Sequence, residues 1–456
     1  MSTPDKRKYT RHEMGQMIAY DQLKISESQA EYGSFKDSMR APIHRWFMYP
    51  AGYSYKFIES KLDEYKLSAG SLIIDPFVGC GTTSVVAKQR GIKSIGIEAH
   101  PFVHWVAGVK LFWEYDLRDL AEVIEQVVLN APFSNFSDAV EKISNGEFPA
   151  LVKKCFSETN LVKLLVIRDT IAQLKAGERL KDFLNLALTH TLRVVSWAGT
   201  GWPYIAPSKY HGKSLERDAF SEFYAQCRRM YDDLIWIRAN SSQPLIQQDL
   251  ILGDAREWQP EMAEEHADLV ITSPPYLNNY DYADRTRLET YFFGLMKSWR
   301  DISEKIRSQL IIAATTQISR SHFNEAQPLD EDLKEASPEV YEQLQAKVEE
   351  LRRVRSTKGG KKNYDLMVAG YFNDMLKVLK QMHKALKPGG DFVLVVGDSA
   401  PYGVYIPTDF YLGRLALGVG FKAFEVELLR HRGGKWAHNS QRHKVGLRET
   451  IVTIVK

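Results

Sequence analysis

The feature that most constrains the fold is a glycine-rich turn between an apolar run and a helix-forming segment. Leu72-Ile73-Ile74 is typical of a buried strand, and the turn Asp75-Pro76-Phe77-Val78-Gly79-Cys80-Gly81-Thr82-Thr83 follows it directly, before a helix-like segment at 84–90. Because glycines have no side chain, such a turn lets a ligand approach the backbone closely where the helix starts. The pattern therefore predicts a ligand site at a strand end of an α/β fold.

Two further segments support this site, since a lone G-x-G also occurs in ordinary tight turns. The next predicted strand, 94–97, ends in Glu98, about 20 residues past the glycines, where an acidic residue can hold ribose hydroxyls. A later buried strand, Ala267–Thr272, leads directly into Ser273-Pro274-Pro275-Tyr276. A third strand, 250–252, ends shortly before Asp254.

Together, the motifs D-P-F-x-G-x-G-T-T and T-S-P-P-Y resemble those of the amino-group DNA methyltransferases, which use S-adenosylmethionine to methylate an exocyclic base nitrogen. The serine form of the second motif is most similar to the cytosine-N4 branch, since adenine-N6 members more often carry Asp or Asn there. The resemblance covers roughly residues 41–115, 249–295 and 365–456. It implies an α/β, Rossmann-like class I methyltransferase fold with a mostly parallel, seven-stranded sheet. The glycine motif precedes S-P-P-Y, whereas many cytosine-N4 enzymes have the reverse order.

The resemblance also implies roles for individual residues. The implied S-adenosylmethionine-binding residues are Asp75, Phe77, Gly79, Gly81, Thr82, Thr83, Glu98 and Asp254, the last at the adenine amino group. The implied catalytic residues are Ser273, Pro274, Pro275 and Tyr276. The Ser273 side chain and the Pro274 carbonyl would accept hydrogen bonds from the target amine, and Tyr276 would stack on the base. The aromatic segment 44–53 would fold over the methionine end of the cofactor; an aromatic edge of the core is the alternative.

The segments of the resemblance are interrupted, which predicts a catalytic domain assembled from 41–115, 249–299 and 365–456. Residues 1–40 are polar and helix-compatible and are expected to form an N-terminal arm. Residues 116–248 are expected to be a helical insertion, with three to five helices over 116–190 and a long helix over 214–240. This insertion either packs on the domain or takes part in target recognition. Residues 300–364 are expected to be a charged helical insertion.

Local basic patches are the candidates for nucleic-acid contact, because the net charge of the 456-residue chain is only +3. One patch, near 352–362, includes Arg352, Arg353 and Lys361; the other, in a predicted hairpin over 430–444, includes Lys435, Arg442 and Lys444. Phosphate contact is the predicted role of both. A solvated helix end and a solubilising hairpin are the respective alternatives.

Composition disfavours several other classes of protein. Cys80, Cys155 and Cys227 are far apart and form no C-x-x-C pair, so neither a zinc cluster nor a disulfide framework is predicted, and no other metal site is expected. No P-C dipeptide occurs, which disfavours cytosine-C5 methylation through a thiolate. The polar start and the absence of a long apolar run predict a cytoplasmic protein without a membrane partner.

These patterns predict a site-specific methyltransferase that acts on cytosine N4 in double-stranded DNA after base flipping. A restriction-modification or other defence system is the expected setting, with a cognate nuclease as a partner. The alternatives are DNA adenine-N6 methylation, methylation of an RNA base, and a non-catalytic DNA-binding subunit. The intact glycines and the intact S-P-P-Y motif disfavour the last of these.

Overall fold

The computed structural model describes residues 7–10 (backbone only), 31–49, 52–198, 205, 207, 217–241, 246–318, 323–357, 362–432 and 445–456. Eight strands form a single sheet: β1 Arg7–Thr10, β2 Leu72–Asp75, β3 Lys93–Glu98, β4 Asp249–Leu252, β5 Ala267–Thr272, β6 Leu386–Gly397, β7 Ala423–Arg432 and β8 Leu447–Val455. Their spatial order is β1-β7-β8-β6-β5-β2-β3-β4. Adjacent strands from β4 through β6 are parallel, while β8 is antiparallel to both β6 and β7.

The predicted Rossmann-like fold with a mostly parallel, seven-stranded sheet is confirmed by β2 to β8. The eighth strand, β1, extends the sheet through antiparallel pairing with β7, from Arg7 opposite Val426 to Thr10 opposite Ala423. Residues 7–10 belong to the segment 1–40, which the sequence indicates is helix-compatible, but they form a strand. These four residues pair with an otherwise open sheet edge, which satisfies backbone groups that an edge strand leaves unpaired.

Sixteen α-helices lie in the part of the chain that the structure describes. They are α1 Tyr55–Glu64, α2 Thr82–Gln89, α3 Pro101–Leu111, α4 Leu117–Asn130, α5 Ser137–Ser144, α6 Ala150–Cys155, α7 Glu158–Gln173, α8 Glu178–Val195, α9 Ala219–Asn240, α10 Tyr282–Arg285, α11 Arg287–Phe292, α12 Trp299–Lys305, α13 Glu331–Ala336, α14 Pro338–Thr357, α15 Tyr364–Ala385 and α16 Thr408–Val419. None of them is long and apolar enough to cross a membrane.

The helical periodicity predicted for 116–190 is confirmed by α4 to α8. In α4, the Asp116 carboxylate caps the first turn by accepting hydrogen bonds from two backbone N–H groups, at 2.8 and 3.1 Å. The buried residues of α4 are Leu120, Val123, Ile124 and Val127, whose spacing gives one apolar face. That face packs against α7 and α9.

The helices α8 and α9 contact the segment that precedes the glycine turn. Asp233 of α9 is buried and accepts hydrogen bonds from the backbone N–H of Ile43 at 3.0 Å and from the indole of Trp46 at 2.9 Å. Arg45 also donates to this carboxylate, from Nε at 3.0 Å. Residues 43–46 are thereby held in place by a helix nearly 190 positions away in the chain. A second apolar core joins α14, α15 and α16 with β6.

The position of the site follows from where the strand order reverses. The chain runs from β2 outward to β3 and β4 on one side, and β5 and β6 lie on the other side. Ligands of open α/β sheets bind beyond the carboxyl ends of the strands at such a reversal. Since β2 and β5 are paired in parallel, with Ile74 opposite Val270, the glycine turn and Ser273 both leave the sheet at this point.

Candidate active site

A cleft that is partly open to solvent lies beyond the carboxyl ends of β2, β3, β4 and β5. Of the residues predicted from the sequence, seven line it: Phe77, Gly79, Thr82, Glu98, Asp254, Ser273 and Pro275. The structure thus brings the predicted cofactor and catalytic segments together around one space. The other five predicted residues, Asp75, Gly81, Thr83, Pro274 and Tyr276, lie behind or beside the lining.

The two glycines of the turn differ in what they do. Both have left-handed backbone conformations, with φ of 55° at Gly79 and 88° at Gly81, which favour glycine. Gly79 faces the cleft. Gly81 instead begins α2, and a Cβ added there would lie 3.4 Å from the Cβ of Ala107 in α3. The left-handed backbone of Gly81 therefore favours glycine in the turn, while α3 leaves room for a Cβ at ordinary contact distance; Gly79 leaves the cleft open.

Asp75 is a buried acceptor beneath the turn. Its Oδ1 accepts hydrogen bonds from Thr272 Oγ1 at 2.5 Å and from the Phe77 N–H at 3.0 Å. Its Oδ2 accepts from Tyr53 OH at 3.0 Å and from Thr83 Oγ1 at 2.5 Å. Burial raises the pKa of Asp75, and these hydrogen bonds oppose that effect. The carboxylate joins the ends of β2 and β5 to the start of α2, so its contacts in this structure are structural.

Glu98 is half-buried at the carboxyl end of β3, on the wall of the cleft. Its Oε1 accepts a hydrogen bond from the His100 N–H at 2.8 Å. Burial raises the pKa of Glu98 to about 7, while backbone N–H groups, of His100 first, lower it. A carboxyl group in this position can accept hydrogen bonds from hydroxyls of a ligand, and such bonds would favour its ionised form.

Asp254 lies past the end of β4 and is held by an arginine. Arg256 Nε lies 2.9 Å from both carboxylate oxygens, and its Nη2 lies 2.6 Å from Oδ2. Arg256 Nη1 also pairs with Asp374 of α15 at 3.1 Å. A bidentate arginine orients a carboxylate firmly. Asp254 is thus fixed at the cleft wall by a partner that the sequence motif does not indicate.

Two segments complete the cleft. Tyr49, Gly52 and Tyr53 line it from the aromatic segment before the glycine turn, and both tyrosines also pack in the core. The residues 309–311, in the predicted charged insertion, line it as well, and sequence reasoning missed them. No local motif marks these three residues, because only tertiary packing brings them to the cleft.

The segment 307–316 is tied to the loop that follows Tyr276. Asp281 Oδ2 accepts hydrogen bonds from Arg307 Nε and from Thr316 Oγ1, each at 2.8 Å. The Ile312 N–H donates to Asp374 Oδ2 at 3.0 Å, on the helix whose Asp374 also holds Arg256. The wall at 309–311 is therefore attached both to the loop after S-P-P-Y and to the Asp254 side of the cleft.

The S-P-P-Y loop starts where β5 ends. Ser273 is half-buried with its Oγ 3.4 Å from Tyr276 OH, and both Ser273 and Pro275 line the cleft. Tyr276 is only 9% exposed; its OH donates to Glu449 Oε1 at 2.9 Å, and its backbone N–H donates to Tyr282 OH at 3.3 Å. Burial, followed by the Glu449 charge, raises the pKa of Tyr276 well above its ordinary value, so the phenol stays protonated. Two prolines restrict the backbone of the loop.

The predicted nucleic-acid contacts are described only in part. Arg353 is exposed on α14, while the Arg352 Nε lies 3.7 Å from the Asp365 carboxylate. Lys361, Lys435, Arg442 and Lys444 lie outside the described residues. Their role as phosphate contacts remains a prediction from the sequence.

All three cysteines are buried, Cys80 among them, consistent with its interpretation as a packed residue of the turn. Within the described ranges, no group of three or more His, Cys, Asp or Glu side chains is arranged to hold a metal ion.

Comparison with known proteins finds similarity to DNA methylases and methyltransferases. A family model described as "DNA methylase" matches residues 6–107. The chain is 26% identical to the Type II methyltransferase M.BsoBI of Geobacillus stearothermophilus, over 92% of the chain and 86% of that protein. It is 25% identical to the Type II methyltransferase M.AvaI of Anabaena variabilis, over 90% of the chain and 85% of that protein. A shorter match, 45% identical over 76 residues, joins 16% of the chain to 14% of the Type II methyltransferase M.MjaII of Methanocaldococcus jannaschii.

Proposed function

We propose that the chain is an amino-group DNA methyltransferase that uses S-adenosylmethionine and that it methylates the exocyclic N4 of cytosine in double-stranded DNA; its similarity to a DNA methylase family model and to Type II methyltransferases supports this. One observation carries the proposal: Ser273 and Pro275 line the same cleft as Gly79, Glu98 and Asp254. The serine is the residue type of the cytosine-N4 branch. The hydrogen-bond acceptor for the target amine would then lie next to the binding site of the methyl donor.

The residues that line the cleft include acceptors suited to the hydroxyls and the amino group of S-adenosylmethionine. The left-handed backbone at Gly79 leaves space beside the start of α2. The Glu98 carboxylate would accept hydrogen bonds from the ribose hydroxyls, and Asp254, oriented by Arg256, would accept from the adenine amino group. Tyr49 and Tyr53 would lie near the methionine end. When bound, the cofactor supplies an electrophilic methyl group on a sulfonium.

The protein's chemical task is to make a poor nucleophile reactive. The lone pair of an exocyclic amine is conjugated with its ring, so the nitrogen must pyramidalise as it bonds to carbon. The Ser273 Oγ and the Pro274 carbonyl would accept hydrogen bonds from the two N–H groups and stabilise the positive charge that develops. The restricted proline backbone would keep these acceptors in place, and the nitrogen loses its surplus proton after the transfer.

The target amine is paired inside a duplex, so the base must leave the stack. Flipping costs a few kcal/mol, and phosphate contacts from basic segments such as 430–444 would offset that cost. Tyr276 would stack on the flipped base. Two relatives that align over most of this chain are named Type II methyltransferases, which supports site-specific methylation in a restriction-modification system with a cognate nuclease.

The test is transfer of label from methyl-tritiated S-adenosylmethionine to duplex DNA, followed by digestion and identification of the nucleosides by mass spectrometry. The expected product is N4-methylcytosine, and sequencing of the modified DNA then gives the target site. The Ser273→Ala variant is the matched control and should bind cofactor but transfer label about 10²- to 10³-fold more slowly. N6-methyladenine would refute the assignment of the base, and label found in RNA but not in DNA would refute the assignment of the substrate.

A further inference from the structure

The ring of Tyr276 is covered in this structure, although it is the residue that we propose stacks on the target base. It is 9% exposed. Its OH is held by Glu449, and the backbone of Gly397 lies so close that a Cβ there would be 3.0 Å from Tyr276 Cδ2. A base cannot stack on a covered ring unless a covering group moves away.

The group over the ring is the guanidinium of Arg432, whose Cζ lies 5.2 Å from the ring centroid. Arg432 Nη1 donates a hydrogen bond to the Asp398 carbonyl at 3.2 Å. It occupies the space left by Gly397, since a Cβ added to this glycine would lie 2.0 Å from Nη1. The planar, cationic guanidinium therefore lies in a site formed by the face of Tyr276, the backbone of Gly397 and the carbonyl of Asp398.

Arg432 is held much less firmly than the arginine two residues before it. Arg430 pairs with Glu449 at 2.5 Å and also donates to the Gly33 carbonyl at 2.6 Å. Arg432 is half-buried and is the last residue of β7, and among the described residues it contacts the π face of Tyr276 and the neutral carbonyl of Asp398. A half-buried cation–π contact is weak enough to be replaced by another planar group. Displacing Arg432 would open the Tyr276 ring while Glu449 still holds the phenol.

We propose that Arg432 occupies the place of the target base on Tyr276 while DNA is absent and is exchanged for that base when it flips. Arg432 is thus a positioning residue of the base site, and this inference rests on the function proposed above. While DNA is absent, the guanidinium would cover the ring of Tyr276. A flipped base would reach the ring only by displacing the guanidinium. Residues 433–444, which carry the predicted phosphate contacts, follow Arg432 directly in the sequence.

The exchange is tested with two duplexes that contain the methylation site found by sequencing. One carries the target base, and the other has an abasic nucleotide in its place, which leaves nothing to stack on Tyr276. For each protein, the ratio of the Kd for the abasic duplex to the Kd for the base-containing duplex is measured by fluorescence anisotropy. Any phosphate contact of Arg432 affects both duplexes alike and cancels in this ratio.

Removing the competitor should favour the base-containing duplex. In Arg432→Ala the ratio should rise about 2- to 30-fold, the equilibrium equivalent of one cation–π contact. Arg432→Lys, which keeps the charge without the planar fork, should lie between that variant and the wild type. In a Tyr276→Ala background, Arg432→Ala should leave the ratio unchanged, because the shared ring is gone.

Three results would overturn the exchange. An unchanged ratio in Arg432→Ala would mean that the arginine is only structural, and a lower ratio would mean that it holds the base instead of yielding to it. A rise that persists without Tyr276 would place the competition elsewhere. Methyl transfer by the wild type to the same duplex is measured in parallel. Its absence would refute the proposed function, whereas transfer with an unchanged ratio would refute the exchange alone.

Discussion

Asp75 belongs to the motif from which cofactor binding is inferred, yet its contacts in the structure are with the protein itself. Thr272, Phe77, Tyr53 and Thr83 all donate to its carboxylate, and Asp75 is 1% exposed. Replacing it with Asn retains the shape but removes the charge. We therefore expect Asp75→Asn to act first on stability and only indirectly on cofactor binding.

The magnitude follows from the four hydrogen bonds. The Asn carbonyl can keep the two bonds made by Oδ1, and the hydroxyls that face its amide can reverse to accept. The loss of charge assistance is partly offset because the buried carboxylate is costly to ionise, as its raised pKa indicates. The free energy of unfolding should fall by about 1–3 kcal/mol in Asp75→Asn. It should fall by about 3–5 kcal/mol in Asp75→Ala, which leaves three buried hydroxyls and the part-buried Phe77 N–H without their acceptor.

The assay pairs urea unfolding with calorimetric binding of S-adenosylhomocysteine. The matched control is Asp254→Asn, the same chemical change at a carboxylate that lines the cleft. It should weaken cofactor binding about 10- to 150-fold, the worth of one charge-assisted hydrogen bond, with a smaller effect on stability. If Asp75→Asn unfolded like the wild type but lost more cofactor affinity than Asp254→Asn, the structural role of Asp75 would be refuted.

Four further predictions concern the cleft and the basic segment 430–444. Burial raises the pKa of Glu98 to about 7, and hydrogen bonds from the ribose hydroxyls favour its ionised form. The affinity for the cofactor, measured by calorimetry, should therefore rise with pH up to about 7 and then level off. The Glu98→Gln variant should show no such rise. In the free protein the same raised pKa means that stability is lost as pH rises from about 4.5 to 7, which urea unfolding across that range would check. Ser273→Ala should lower single-turnover methyl transfer by about 10²- to 10³-fold, and an unchanged rate would exclude Ser273 as an acceptor. Neutralising Lys435, Arg442 and Lys444 should weaken DNA binding. It should also reduce the slope of the logarithm of the DNA-binding constant against the logarithm of the salt concentration by up to about three. An unchanged slope would exclude this segment from the DNA interface.

The parts of the fold that the sequence predicts are those with local signals. The strand before the glycine turn, the strand before S-P-P-Y and the helix that stops before Lys387-Pro388-Gly389-Gly390 all have boundaries within a few residues of those expected. Their apolar runs and glycine turns suffice to indicate them without tertiary information. The strand at Arg7–Thr10 has no such signal, because four mostly polar residues form a strand only by pairing with β7.

The same distinction holds for the candidate site. Gly79, Glu98 and Ser273 follow strands that the sequence marks, so their meeting at one cleft is predictable from parallel strand order. The wall at 309–311 is positioned by the long-range contact of Arg307 with Asp281. The arginine that holds Asp254 also pairs with the distant Asp374. No short sequence motif contains these contacts. The cover on Tyr276 is likewise invisible in the sequence, since Arg432 lies more than 150 positions away.

The central claim is that the cofactor cleft and the S-P-P-Y loop act as one site, and an isotope-partition experiment tests it most directly. Methyl-tritiated S-adenosylmethionine is first bound to the protein, and DNA is then added together with excess unlabelled cofactor. The wild type should transfer the bound label to DNA before it exchanges. Ser273→Ala, which transfers about 10²- to 10³-fold more slowly, should instead lose most of the bound label to exchange with the unlabelled cofactor. Transfer of the bound label by Ser273→Ala at the wild-type rate would contradict the account.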